Sequence, residues 1–253
     1  MPENGTVTTT TQNQVTVIEF HHPKGNSLPG KLLREIAKNI TEAGENTESS
    51  AVVLRSRGDR AFCGGASFDE LLAVSGLDEG KQFFMGFAHV LNAMRTCPKL
   101  IIVRVQGKTV GGGIGLAAAG DYTFAHTSAS VKLSELALGI GPFVIGPVVR
   151  RKIGTSAFAT LALDARTWYD AGWAEAKGLY NKVLSSRGEL DESVEKLAGE
   201  LAASNPEAMK EFKQIMWKGT GHWQSTLEQR AEISGRLVMS NFTRDFIDKF
   251  KKK

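Results

Sequence analysis

Residues 100–120 read LIIVRVQGKTVGGGIGLAAAG. The first six, Leu100–Val105, are apolar at nearly every position, the pattern of a strand covered on both faces. Leu116–Ala119 continue as a helical run of small residues, and Gly111, Gly112 and Gly113 stand between. A strand, a glycine-rich turn and a helix leave unpaired main-chain N–H groups that can be aimed at an anion or a developing oxyanion. Without β-carbons, a ligand carbonyl can approach the main chain. Two phosphate-binding patterns fail here. Walker spacing would need glycine five positions before Gly107-Lys108-Thr109, and Ile102 stands there. The dinucleotide fingerprint fits only loosely, and no acidic residue ends a neighbouring second strand.

Working outward, Ala51–Ser56 (AVVLRS) repeats the fully covered strand pattern, Gln14–Phe20 alternates, and Tyr122–His126 and Asn181–Leu184 are shorter strand candidates. Between them lie helical patterns. Leu32, Leu33, Ile36 and Ile40 form one stripe, and residues 79–95 another with Phe83, Phe87, Val90, Leu91 and Met94 inside. Strands alternating with helices give an α/β class. From about residue 188 the strands stop. Leu190, Val194, Leu197 and Leu201 make a helical stripe, Asn205-Pro206 is a cap and first-turn proline, and Leu227, Ala231, Ser234 and Val238 repeat the spacing. The expected organisation is a disordered polar lead-in over 1–13, an α/β core over 14–187 and a helical region over 188–253.

The chain has 253 residues, 42% hydrophobic and 23% charged, with a net charge of +4. That length and balance allow a sizeable buried core, and no run approaches the about 20 apolar residues of a membrane span. The start, MPENGTVTTTTQNQ, does not read as a secretory signal. Cys63 and Cys97 have no metal or CxxC spacing and are expected to be thiols in a reducing compartment, the cytoplasm. The histidines make no metal-ligand pattern. The basic excess sits at Arg150–Lys152 and among the terminal lysines. A solvated surface or attraction for a phosphate-bearing ligand explains it better than nucleic acid, for which no motif is present.

Two further segments carry chemistry. Ala61–Glu70, AFCGGASFDE, is a second glycine-rich turn running into a helix. Two such turns matter because an oxyanion hole needs two convergent donors. Lys132–Gly154 begins KLSELALGIGPFVIGP, where Glu135 stands among Leu133, Leu136, Ala137 and Leu138. A carboxylate in apolar surroundings holds its proton more tightly, which suits proton transfer near neutral pH. The competing reading is a glutamate that caps a helix or pairs with Lys132 or an arginine. Cys63 reads as a buried inert thiol, His126 as structural, Asp121 as a backbone acceptor at a strand start, and Trp168, Tyr169 and Trp173 as helix packing.

Taken together, NSL at 26–28, AFCGGAS at 61–67, GGG at 111–113, Glu135 followed by Gly139 and Pro142, and the lysine-rich FIDKFKKK at 246–253 resemble the crotonase superfamily, the enoyl-CoA hydratase/isomerase family. The resemblance implies a spiral of ββα units with a C-terminal helical trimerisation region, and a homotrimer or dimer of trimers. It implies an acyl-CoA substrate, with coenzyme A as part of the substrate and no separate cofactor or metal. It implies an oxyanion hole from the N–H groups of Ala66 and Gly112, with Glu135 moving the proton. Contacts to coenzyme A would come from Ala66, Ser67, Phe68, Asp69 and Lys249. Hydratases of the family carry a first glutamate shortly after the glycine triplet, and here that position is Gly115. One carboxylate suffices to shuttle a proton between two carbons, so the pattern resembles the isomerases, with hydration next. A catalytically weak CoA-binding or scaffold member is the alternative.

Overall fold

The computed structural model describes residues 4–251, with side chains through Ile247. The strands are β1 (Thr6–Gln12), β2 (Val15–His21), β3 (Ala51–Ser56), β4 (Ala61–Cys63), β5 (Leu100–Val105), β6 (Lys108–Val110), β7 (Tyr122–His126), β8 (Ser130–Lys132), β9 (Tyr169–Asp170) and β10 (Lys182–Leu184). The helices are α1 (Gly30–Glu45), α2 (Phe68–Ala73), α3 (Leu77–Thr96), α4 (Gly112–Ala119), α5 (Gly146–Leu163), α6 (Ala171–Ala176), α7 (Arg187–Ala202), α8 (Pro206–Met216), α9 (Trp223–Val238) and α10 (Asn241–Lys251).

Strands β1-β2-β3-β5-β7-β10 form one sheet and β4-β6-β8-β9 a second. The chain thus repeats a unit: a long strand in the first sheet, a short strand in the second, then a helix. β3-β4-α2, β5-β6-α4 and β7-β8-α5 are three such units, and their parallel neighbours make a ββα spiral. Gln106 locks two of its bends together. It is fully buried between β5 and β6, and its side-chain amide donates to Ser56 Oγ at 2.8 Å and to the carbonyls of Gly58 at 3.0 Å and Ala61 at 3.1 Å.

The near-continuous apolar strands have the cause expected of them. Val52, Leu54, Ile101 and Val103 face a core shared with α1, α3 and α4, while Val53 and Ile102 face Leu190, Val194 and Ala198 of α7. Helix α7 therefore completes the covering of the first sheet, so a boundary at 187/188 cuts through the core. Farther on, Lys213 of α8 is buried against Asp121, Nζ to Oδ2 2.9 Å, and also donates to the Lys99 carbonyl at 2.8 Å. Asp121 accepts from the main-chain N–H of Ile101 at 2.7 Å, as its strand-start position suggested, and from Trp217 Nε1 at 3.0 Å.

The lead-in over 1–13 needs correction. Thr6–Gln12 is a full strand antiparallel to β2, closed by a two-residue turn at Asn13-Gln14 with φ of 50° and 60°. Positive φ at both positions suits a type I′ hairpin. Its threonines favour strand through β-branching, but on an exposed sheet edge they carry no apolar alternation to mark it. Among the described residues no helix is long and apolar enough to cross a membrane.

Candidate active site

The turn after β4 is built by NSL. Asn26 is buried with φ of 54°, accepts from the His22 N–H through Oδ1 at 2.8 Å, and donates through Nδ2 to the carbonyls of Arg57 and Ala61, each at 2.9 Å. Leu28 N–H donates to the Gly65 carbonyl at 2.8 Å, and Ser67 N–H to the Leu28 carbonyl at 3.0 Å. Ser27 Oγ donates to the Ala66 carbonyl at 2.8 Å. Gly65 has φ of 88°, a left-handed conformation that a side chain would strain. These bonds fix residues 65–67 and leave the Ala66 N–H without an acceptor among the described residues. Ser67 then caps α2, accepting from the Glu70 N–H at 3.3 Å.

The second glycine turn lies against the first. A β-carbon on Gly65 would stand 3.2 Å from the Val110 carbonyl oxygen and 3.9 Å from the nitrogen of Gly112. Gly111, at φ of 52°, donates its N–H to the Lys132 carbonyl at 3.1 Å, and Gly112 opens α4. The Gly112 N–H, too, has no acceptor among the described residues.

Glu135 stands beside this turn: a β-carbon on Gly111 would meet its Oε1 at 3.0 Å. Residue 135 as a whole is half-buried, yet its Oε2 is shielded from solvent and has no hydrogen-bond partner among the described residues. It is the carboxyl oxygens whose desolvation matters, and that burial pushes the group up to about 7. No ion pair involves it among the described residues, so the pairing with Lys132 or an arginine is not made.

Ala66, Gly112 and Glu135 line one cavity of about 420 Å³. Its other walls are mostly apolar, above all Phe68, Phe83, Phe84, Phe87 and Phe143, and among the described residues Glu135 is its single ionisable lining residue. At position 115 a β-carbon would lie 2.7 Å from Ile145 Cγ2 and 3.6 Å from Leu91 Cδ2, so hydrocarbon occupies the space. A second cavity, about 350 Å³, adjoins the first through shared walls at Ser27, Gly64, Phe68 and Val110. It is lined by Ser67, Phe68 and Asp69 with His22, Lys24, Lys108 and Trp168, and Asp69 pairs with Lys24. The side chain of Lys249 lies outside the described residues.

Other expectations resolve similarly. Cys63 is fully buried and burial pushes its thiol up to about 12, which makes it inert. His126 is paired with Ser128, Nδ1 to Oγ 2.6 Å. Trp168 is not helix packing. It is an exposed ring before β9, with Lys108 Nζ 5.2 Å and Lys132 Nζ 5.6 Å from its centroid. The long buried strand ahead of each glycine turn was legible, whereas the short strands β4 and β6 that lead directly into the turns, the aromatic walls from α3 and Ser234 of α9 were not assigned.

Residues 10–250 match the family model for enoyl-CoA hydratase/isomerase. The chain belongs to that family, and is an enzyme of the hydratase/isomerase type. This hydratase/isomerase is 29% identical over 210 residues to the short-chain-enoyl-CoA hydratase of Clostridium acetobutylicum, covering 82% of the chain and 79% of the relative. It is 28% identical over 215 residues to the (7aS)-7a-methyl-1,5-dioxo-2,3,5,6,7,7a-hexahydro-1H-indene-carboxyl-CoA hydrolase of Mycobacterium tuberculosis, covering 82% of each. In fold it is similar to the enoyl-CoA hydratase of Bacillus halodurans, with a TM-score of 0.89 at 21% identity over 96% of this chain and 99% of that one.

Proposed function

We propose that this enzyme migrates the double bond of an enoyl-CoA. The thioester oxygen sits between the N–H groups of Ala66 and Gly112. Glu135 takes a proton from the α-carbon of a 3-enoyl thioester, and the electron pair moves into the conjugated system as charge on that oxygen. The same carboxyl returns the proton to the γ-carbon, giving the 2-enoyl thioester with no atom gained or lost. Charge on the oxygen grows on the way to the enolate, so two donors already in place favour that state over the ground state. A group poised near 7 both accepts and returns a proton at neutral pH.

The observation that carries this reading is the pairing of two acceptor-free amides with one carboxylate, whose buried Oε2 has no partner among the described residues, in a single mostly apolar cavity. The nucleotide end of coenzyme A would lie in the adjoining cavity, where Lys24 and Lys108 offer charge to its phosphates. Ser67, Phe68 and Asp69 line the path between the two, and Lys249 would reach the same ligand. Exposed Phe212 and Ile215 on α8 support burial against other copies in a trimer or dimer of trimers. The thiol state of buried Cys63 and Cys97 agrees with a reducing cytoplasm.

Hydration is the second reading, favoured by the relatives that are named hydratases. Incubation with a 3-enoyl-CoA and, separately, a 2-enoyl-CoA distinguishes the two. Isomerisation gives the conjugated product from the first and little hydroxyacyl product from the second. Acyl-CoA binding by calorimetry without turnover of either would identify a CoA-binding member instead, and full turnover by Glu135→Gln would remove Glu135 as the base.

A further inference from the structure

Ser234 is a polar group in the wrong place for a purely hydrocarbon pocket. It lies on the buried side of α9, is fully buried, and is one of the lining residues of the cavity that holds Glu135. Its Oγ has no hydrogen-bond partner among the described residues. A helical hydroxyl ordinarily donates to the carbonyl four residues back. Thr41, Thr96 and Thr160 of this chain do so, at 3.1, 2.8 and 3.1 Å, whereas Ser234 makes no such bond to Arg230. Its place is fixed by the next residue. At Gly235 the backbones of α9 and α3 nearly touch: a β-carbon on Gly80 would stand 2.9 Å from the Gly235 Cα. Helix α9 cannot roll to hide the hydroxyl without separating that contact.

A buried hydroxyl left unpaired is costly, so a partner arriving with a ligand is strongly favoured there. We infer that Ser234 is a specificity-determining residue that hydrogen-bonds an uncharged oxygen, a ketone or hydroxyl, on the acyl group of the substrate. The inference rests on the reading of this cavity as the acyl site. The class is uncharged because, among the described residues, no lysine, arginine or histidine lines the cavity to meet a second carboxylate. It is oxygen-bearing because a plain chain would leave the Ser234 hydroxyl without a partner in a mostly apolar cavity, whereas a ketone or hydroxyl would satisfy it.

The test compares hexanoyl-CoA with 4-oxo- and 5-oxohexanoyl-CoA by calorimetry on the full-length protein and on Ser234→Ala. The wild type should bind one oxo thioester about tenfold tighter than hexanoyl-CoA, and the variant should lose that preference while binding hexanoyl-CoA as well as before or better. Thermal melts accompany the titrations, and the variant should melt no lower than the wild type, since it removes an unpaired hydroxyl. Equal weakening of all three thioesters would mean that Ser234 holds a structural water and would overturn the inference, as would a wild-type preference for hexanoyl-CoA. If all three bind and enoyl-CoA is turned over without any Ser234-dependent preference, this inference fails alone. If none binds, the acyl-site reading fails with it.

Discussion

Replacing Glu135 by glutamine should make the protein more stable and, on the proposed chemistry, inactive. The ordinary value for a glutamate is 4.5, and burial raises Glu135 to about 7. At about 1.4 kcal/mol for each pH unit, that interval is about 3 kcal/mol of preference for the protonated form in the folded chain. The folded state thus binds this proton more tightly than the unfolded state. The associated stability is fully present below 4.5 and is lost as pH rises through about 7. At pH 8 the wild type carries a desolvated charge whose Oε2 has no partner among the described residues, and glutamine carries none. Glu135→Gln should therefore match the wild type near pH 4.5 and exceed it by up to about 3 kcal/mol at pH 8, a rise of roughly 6–12 °C in Tm for a chain of this size. Differential scanning calorimetry from pH 4.5 to 8.5 reads this directly, with enoyl-CoA turnover measured on the same samples. In the wild type, kcat/KM should climb with pH and level off above about 7, because the working form is the carboxylate. A variant that melts with the wild type at every pH would refute the desolvated-carboxylate argument, whatever its activity.

Three other substitutions probe separate parts of the argument. Gly112→Ala places a methyl group 2.3 Å from the Phe87 ring, so it should cost about 1–3 kcal/mol by denaturant melts and lower kcat more than KM. Lys213→Met leaves Asp121 charged, buried and without its cation, and should cost about 3–5 kcal/mol, whereas Lys218→Met on the surface should change little. Gly115→Glu restores the carboxylate found in hydratases but drives it into Ile145; it should destabilise the protein and gain no hydration by product analysis, while pairing it with Ile145→Ala should recover part of the stability.

How much of this was legible from sequence follows the range of each signal along the chain. The long strands announce themselves because both of their faces are covered: Val52 and Val53 point to opposite cores, and each must be apolar. The glycine turns and Glu135 are local, so short runs of sequence disclose them. The second sheet left no trace because β4, β6 and β8 are three residues each, too short for alternation to register. β1 was missed for a different reason: its exposed threonines need not alternate. Trp168 and Ser234 failed for a third. Their surroundings are set by what lies across the fold, Lys108 and Lys132 for one and the cavity of Glu135 for the other, and neighbouring residues carry no record of that.

The absence of a second acid is a packing solution, not a single exchanged residue. All eight residues of α4 are buried, Gly115 included, and the Ile145 methyl lies where a side chain from 115 would start. Ile145 belongs to the same GPFVIGP segment that supplies Pro142, Phe143 and Val144 to the cavity wall. Isoleucine at 145, as placed, therefore requires glycine at 115, and hydrocarbon lies where the family resemblance would put the second carboxylate of a hydratase. The same apolar enclosure is what keeps Glu135 near 7. On the proposed reading, walls this apolar offer few groups to position a water for attack. On that same reading, one proton stays on one carboxyl while the electrons of a bound acyl chain rearrange around it.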